Sequence, residues 1–303
     1  MRMTTSWLAK SLVLGLLVGA ACTLGACTKK NAGPAHTTVQ VKGSDTMVNL
    51  AQAWAEEYKK VAPNVDVEVS GGGSGVGIAA LEKGTIDIAD ASRNMKPEEI
   101  EQAKRNTGKE PKEFVVGYDA LAVYVHKDNP IEEITFDQLA GIFAEGGAIE
   151  KWSQLGLKIP AATNDEIVRV SRQSSSGTYE FFREHVLGKK DFKLGSRDMN
   201  GSKEVVELVA GTKTAIGYSG MGYATPAVKM VRVARASGAP AVAPTVANTL
   251  DHTYPLARPL FVYTLGEPQG EVQRYIEWML SPDGQRIVEE SGYVPLAAGT
   301  HGS

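Results

Sequence analysis

Three stretches of the chain place serine, threonine and glycine where a helical pattern is about to begin. They are KGSDTM at residues 42–47, GGGSGVGI at 71–78 and RQSSSGTYE at 172–180. The first backbone amides of a helix have no partner inside the helix, and the helix dipole adds partial positive charge there. A hydroxyl at that point supplies a further donor, and glycine lets the backbone approach a ligand closely. Such an end suits a small anion. Serine and threonine are also the ordinary N-cap residues, so Thr46, Ser74, and Ser176 or Thr178 each have a plain capping role open to them. The third stretch adds Arg172, whose planar guanidinium meets an oxyanion with two parallel donors and stays charged at any physiological pH. Ser92 and Arg93 end a further strand pattern and could point toward the same place; the plain alternatives are a surface pairing with an acid for Arg172 and a solvated loop position for Arg93.

The elements that must position these residues alternate along the chain. TTVQVK, VDVEVS and IDIADAS read as strands; VNLAQAWAEEYKKV, VGIAALEKG and KPEEIEQAKRN read as helices. Lysines close the first helix before Pro63, Gly84 closes the second, and Pro97 with acidic residues opens the third. This βαβαβα order predicts an α/β lobe with a largely parallel sheet. FVVGYDALAVYVHKDNP (114–130) is a long apolar strand leading onward. TFDQLAGIFA, YEFFREHVLG and SKEVVELVAG supply second-lobe helices, AIGYSGMGYA (215–224) a buried strand and turn, and ASGAPAVAPTVANTL (236–250) a loop. RPLFVYTL is a strand, and a final amphipathic helix is interrupted near Pro282. A chain that leaves one lobe, builds a second and returns makes a two-crossing hinge over a cleft. The expected division is 38–125 plus 253–303 for the first lobe and 126–252 for the second.

The 303 residues are 43% hydrophobic and 22% charged, enough for two cored lobes. Lys and Arg number 32 against 35 Asp and Glu, so no basic excess argues for nucleic acid. Residues 1–26 carry a basic front (Arg2, Lys10), the apolar run SLVLGLLVG and then LGAC at 24–27. The run is too short to span a bilayer and suits a signal peptide; LGAC is the lipobox pattern of a bacterial lipoprotein, with Cys27 as the lipidated residue. Removing the signal leaves 30 basic and 35 acidic residues, a formal charge of −5, and no second cysteine for a disulfide or a thiolate metal site. Residues 27–37 read as a flexible tether. An anion must therefore be caught by local geometry rather than by net charge.

Other chemistries are poorly served. Residues 75–80 meet a loose G-x-G-x-x-A dinucleotide pattern, but no lysine follows Gly77 as a P-loop requires. No serine lies in G-x-S-x-G, and the five histidines show no triad order. Neither a metal nor a cofactor is expected.

With GSDTM, GGGSGVGI and RQSSSGT behind a lipobox, the chain resembles the periplasmic phosphate-binding proteins of phosphate ABC transporters over residues 38–300. The resemblance implies a type II periplasmic-binding-protein fold: α/β, two lobes, a ligand cleft and a two-crossing hinge. It implies capture of inorganic phosphate for delivery to ABC transporter permease subunits, by a monomer lipid-anchored to a membrane and facing the periplasm or cell exterior, with no catalysis. By motif position Thr46 gives a hydroxyl, Met47 its N–H and Ser74 a hydroxyl. Arg172, Ser176, Gly177 and Thr178 grip from the second lobe, and Ser92 and Arg93 join them. The pattern departs where relatives carry Ser-Asp after the third strand, the aspartate accepting the ligand's proton. Here Ala91-Ser92-Arg93 stands, and arginine accepts no proton. Asp45 and Asp90 are the candidate acceptors. Binding of sulfate, molybdate or arsenate, or action on a phosphoester or nucleotide, stays open on the sequence.

Overall fold

The computed structural model describes residues 36–296. The signal peptide, Cys27 and nearly all of the tether lie outside the described residues. The first lobe follows the expected order: β1 (Thr37–Gly43), α1 (Val48–Val61), β2 (Val65–Ser70), α2 (Ser74–Leu81), β3 (Ile88–Ala91) and α3 (Pro97–Thr107). β1 pairs in parallel with both β2 and β3. α1 buries Leu50, Ala51, Trp54 and Tyr58, one face at helical spacing, against this sheet. α3 starts at Pro97 with Glu98 and Glu99 in its first turn and ends at Gly108, whose φ of 71° is the left-handed stop that glycine adopts without strain.

β4 (Pro111–His126) is sixteen residues long and belongs to both halves of the molecule. Beyond it come β5 (Glu133–Thr135), α4 (Phe136–Phe143), β6 (Val168–Arg172), α5 (Gly177–His185), β7 (Arg197–Met199), α6 (Ser202–Gly211), β8 (Ala215–Gly220), β9 (Val228–Ala234) and the short α7 (Val246–Leu250). The chain then returns through β10 (Ala257–Leu265), α8 (Gly270–Leu280) and α9 (Pro282–Glu290). The strand order is β2-β1-β3-β10-β4-β8-β6-β7, with β9 beside β4 and β5 beside β9.

The parallel pairings lie within the lobes, and the two crossing strands run antiparallel to their neighbours. β4 pairs with β10 from Pro111 to Ala120 and with β8 from Leu121 to Val125. Its change of partner at Ala120/Leu121 thus falls inside the stretch expected to belong wholly to the first lobe. On the return, Tyr254 and Leu256 still pack in the second core, and pairing with β4 resumes at Ala257. No turn or glycine interrupts β4 at the crossing, so nothing local marks it. The loop expected at 236–250 ends in α7, capped by Thr245 accepting the Asn248 N–H.

The sheet is covered on both faces. Leu260 and Val262 of β10 join the core under α1, α8 and α9, while Phe261 and Tyr263 face α2 and α3. In the second lobe Phe182 stacks on Tyr218 with ring centroids 4.0 Å apart, and Phe143 meets Tyr218 edge-on. These cores fix the ends of β1, β2 and β6, where the three serine- and threonine-bearing joints emerge, and the end of β3, where Ser92 lies.

Candidate functional site

Thr46 sits in the turn between β1 and α1. Met47, not Thr46, is the N-cap residue, and it makes no side-chain cap. The Thr46 hydroxyl is therefore free of capping duty and lies 2.7 Å from the Thr178 hydroxyl of the other lobe. Both threonines are buried. The Met47 N–H, expected to face an anion, donates to Ser44 O at 3.0 Å. Ser74 is the first residue of α2 rather than its cap; Gly73 is the cap, with a φ of 97°. Ser74 Oγ accepts the Ser92 N–H at 3.0 Å, and Ser44 Oγ donates to Ser92 Oγ at 3.1 Å. Four buried hydroxyls, of Ser44, Thr46, Ser74 and Ser92, thus gather at the ends of β1 and β3.

The second lobe meets them with the start of α5. Ser176 is a true N-cap, its Oγ accepting the Thr178 and Tyr179 N–H groups at 3.2 and 3.4 Å. Gly177 faces Ser74 and Ser92 so closely that a Cβ there would lie 2.7 Å from Ser92 Oγ and 3.0 Å from Ser74 Cβ. Around this seam the Gly75 N–H donates to Ser175 O at 2.9 Å and Ser175 Oγ to Gly72 O at 3.1 Å. Lys96 and Glu180 form an ion pair across the rim at 2.9 Å. The lobes are in contact, so this is a closed arrangement.

The charged residues divide differently from the expectation. Arg172 is fully buried, with Nη1 donating to Ser202 Oγ at 3.0 Å and Nη2 to Asp45 Oδ2 at 3.2 Å and Asn200 O at 3.3 Å. Its Nε has no partner among the described residues. Burial pushes the Arg172 guanidinium below its usual value, with Asp45 opposing the shift. Burial likewise raises the Asp45 carboxyl, against the Gly72 N–H and the Arg172 charge. Asp45 is therefore the carboxylate of an ion pair that joins the lobes. Arg93 does not turn toward the hydroxyls: both its Nη atoms fork onto Glu99 at 2.7 and 2.8 Å, and Nη1 also reaches Asn94 O. An acid six residues on, held by the first turn of α3, captures it. Asp90 lies on β3 between Ala89 and Ala91, which face α2; strand alternation turns it to the opposite face, toward α8 and Tyr275. Burial pushes its carboxyl up to about 7. It is not among the groups that contact the Ser74–Ser92 hydroxyls.

Sequence reasoning missed the charged pair that does reach them. Arg258 of β10 lies directly opposite Asp119 of β4 in the antiparallel register. Its Nε and Nη2 donate to Asp119 Oδ2 at 3.0 and 2.7 Å, and Nη1 donates to Ser92 O at 3.2 Å. Nη2 also donates to Thr178 Oγ1 at 3.0 Å and Thr46 Oγ1 at 3.3 Å. The signal was present: Asp119 is the lone charge within the apolar run FVVGYDALAVYV, and a charge in a buried strand needs a partner.

The seam offers hydroxyl and amide donors from both lobes, two helix N-termini and buried arginines that each carry a carboxylate. That is chemistry for holding a small oxyanion by hydrogen bonds. Residues 28–283 match the family model of the PBP superfamily domain. The chain is 38% identical over 266 residues to the phosphate-binding protein PstS of Pseudomonas aeruginosa, a match covering 84% of this chain and 82% of that protein. It is 35% identical over 283 residues to protein SphX of Synechococcus elongatus, covering 89% and 80% respectively. Among solved structures it is similar to a substrate-binding protein assigned to a phosphate ABC transporter of Clostridium perfringens, determined with bound phosphate. That likeness has a TM-score of 0.74 and 31% identity, over 86% of this chain and all of the other. An ABC-type phosphate transport receptor from Vibrio cholerae is similar with a TM-score of 0.67 and 29% identity, over 85% of this chain and all of the other.

Proposed function

Because the chain belongs to the PBP superfamily and to its family of PstS-type phosphate-binding proteins, we propose that it captures inorganic phosphate between its two lobes and hands it to the permease of an ABC transporter. The observation that carries this reading is the meeting of Thr46 and Thr178, one from each lobe, at a buried seam ringed by Ser74, Ser92 and the Ser176-capped start of α5. On opening, the two hydroxyls lose each other. A tetrahedral oxyanion entering between them accepts from both, from the Ser74 hydroxyl and from the Gly177 N–H, and draws the lobes back together. Arg172 supports the second-lobe side of this grip through its tie to Asp45.

The test is calorimetric titration of the chain from residue 28 onward with phosphate, arsenate, sulfate and molybdate, beside an assay for hydrolysis of phosphomonoesters. Saturable heat with phosphate at one site per chain, and no turnover, is the expected result. Binding of sulfate or molybdate in preference would assign a different oxyanion, and turnover would make the chain an enzyme.

The LGAC motif supports a lipid anchor at Cys27, outside the described residues, and hence a place on the outer face of a membrane. No helix among the described residues is long and apolar enough to cross a membrane. Cys27→Ala should therefore release the protein or leave it as uncut precursor, read by fractionation and mass of the N-terminal peptide. Lipid still attached in Cys27→Ala, and lost in Cys22→Ala, would move the site; indifference to both would remove the anchor.

A further inference from the structure

We propose that Arg258, carried on the returning crossing strand and gripped by Asp119 on the outgoing one, is a further cation that meets the bound anion, in addition to Arg172 of the second lobe. This deepens the phosphate reading above and rests on it. The first support is contact. Arg258 Nη2 reaches the hydroxyls of both Thr46 and Thr178, the pair that an entering anion must part. Arg172 touches neither; its partners are Asp45, Ser202 and Asn200. The two arginines leave opposite sides of the sheet. Arg172 follows Val170, which packs with Val205 and Val209 of α6, whereas Arg258 lies over the Phe181 ring of α5, 5.4 Å from its centroid.

The second support is preorganisation. Arg258 and Asp119 are 2% and 0% exposed, and both oxygens of the Asp119 carboxylate are held. Asp119 Oδ2 takes two donors from Arg258, and Oδ1 accepts the Met221 N–H at 3.0 Å. Ser92 O fixes Nη1. Gly220 leaves room for this: a Cβ there would lie 3.1 and 3.2 Å from the two Asp119 oxygens and 2.9 Å from Thr46 Cγ2. A guanidinium so fixed presents its remaining donor without reorganising when the anion arrives.

The third support is position in the fold. β4 and β10 both cross between the lobes, and Arg258 and Asp119 face each other one residue from the change of partner at Ala120/Leu121. An anion held by Thr46 from one lobe, Thr178 from the other and Arg258 from the crossing strands links all three parts. Its negative charge then acts at the axis about which the lobes separate, and the ligand is bound tightly only where that axis is in its closed setting.

Removing Arg258 alone strands a buried carboxylate, so the test uses the neutral double variant Asp119→Asn/Arg258→Gln, which keeps volume and hydrogen-bonding capacity, and Arg258→Lys, which keeps charge and loses the fork. Each is titrated with inorganic phosphate, with ligand-free melting and circular dichroism as the measure of folding. The double variant should melt close to the parent and lose affinity by roughly 30-fold to several thousand-fold, the penalty for removing a desolvated charge from its partner. Arg258→Lys should fold and bind at least about 10-fold more weakly, because one lysine cannot hold Asp119 and the anion together. A folded variant of either kind that binds phosphate like the parent overturns the proposal and leaves the pair a hinge brace. A parent that binds no phosphate sinks the phosphate reading beneath it, which the titration shows separately.

Discussion

Gly177→Ala will weaken phosphate binding while leaving the ligand-free protein at least as stable as before. The added Cβ would meet Ser74 Oγ inside van der Waals contact, Ser92 Oγ at 2.7 Å and Ser74 Cβ at 3.0 Å. These atoms belong to short side chains buried at the ends of α2 and β3, so none can swing aside. The clash exists only when the lobes touch. Overpacking of this kind costs about 1–3 kcal/mol, which is roughly 5-fold to 150-fold in affinity if it falls wholly on the closed state. The open lobe gains slightly, because alanine favours a helix over glycine by up to about 1 kcal/mol. Titration with phosphate, ligand-free melting and small-angle scattering with and without phosphate check the three parts. Gly75→Ala is the control: its Cβ would lie 3.2 Å from Ser175 O, a tight contact that a small shift of the loop relieves. Parent-like binding by Gly177→Ala would mean that phosphate is not held in this seam.

Arg172→Ala should lower phosphate affinity by roughly 30-fold to several thousand-fold. The guanidinium is wholly buried in the closed protein, where it neutralises Asp45 across the cleft. Its removal leaves the closed state with an unpaired carboxylate that already sits above its ordinary pKa. In the open state both groups reach water, so ligand-free melting should hardly change. Arg172→Lys should also bind poorly, because an ammonium cannot satisfy Ser202, Asp45 and Asn200 O in the guanidinium's plane. Arg169 points to the opposite strand face, where it pairs with Glu150 at 2.6 Å, and Arg169→Ala should bind phosphate normally. A cycle with Asp45→Asn separates the possible roles of Arg172. If the arginine acts through Asp45, the two changes together weaken binding less than the sum of each alone. If the losses add, the guanidinium acts on the anion itself. Arg172→Ala with parent affinity, or loss of binding in Arg169→Ala, would show that the third joint has been aligned on the wrong residue.

The fate of individual residues shows where sequence reasoning reaches its range. The order of strands and helices in the first lobe was legible because each element carries its own signal within a few residues. VDVEVS alternates, Pro97 opens α3, and Gly108 closes it. The three joints were legible for the same reason: a helix start and its hydroxyls are neighbours in the chain. Their geometry was less so. Ser176 caps its helix, while Thr46 and Ser74 do not, and whether a hydroxyl turns to its own backbone or outward is settled by what packs beside it. Arg93 illustrates the competition: it ends the right strand, yet Glu99 lies within reach on the next helix and takes the guanidinium.

By itself, then, the sequence determined the α/β class, the presence of a second lobe entered and left by strands, and three helix starts with the donors an oxyanion needs. Only the tertiary structure decided which charges join them. Asp119 and Arg258 are separated by 139 residues and become partners through the register of two antiparallel strands, β4 and β10. Asp45 and Arg172, 127 residues apart, meet only when the lobes close. Asp90, a candidate on sequence, is turned away because strand alternation and the neighbouring alanines assign its face. Local composition fixes an element's type, since the forces that select it act between near neighbours in the chain. Strand register, facing and lobe contact arise from pairings over more than a hundred residues, and no short stretch contains them.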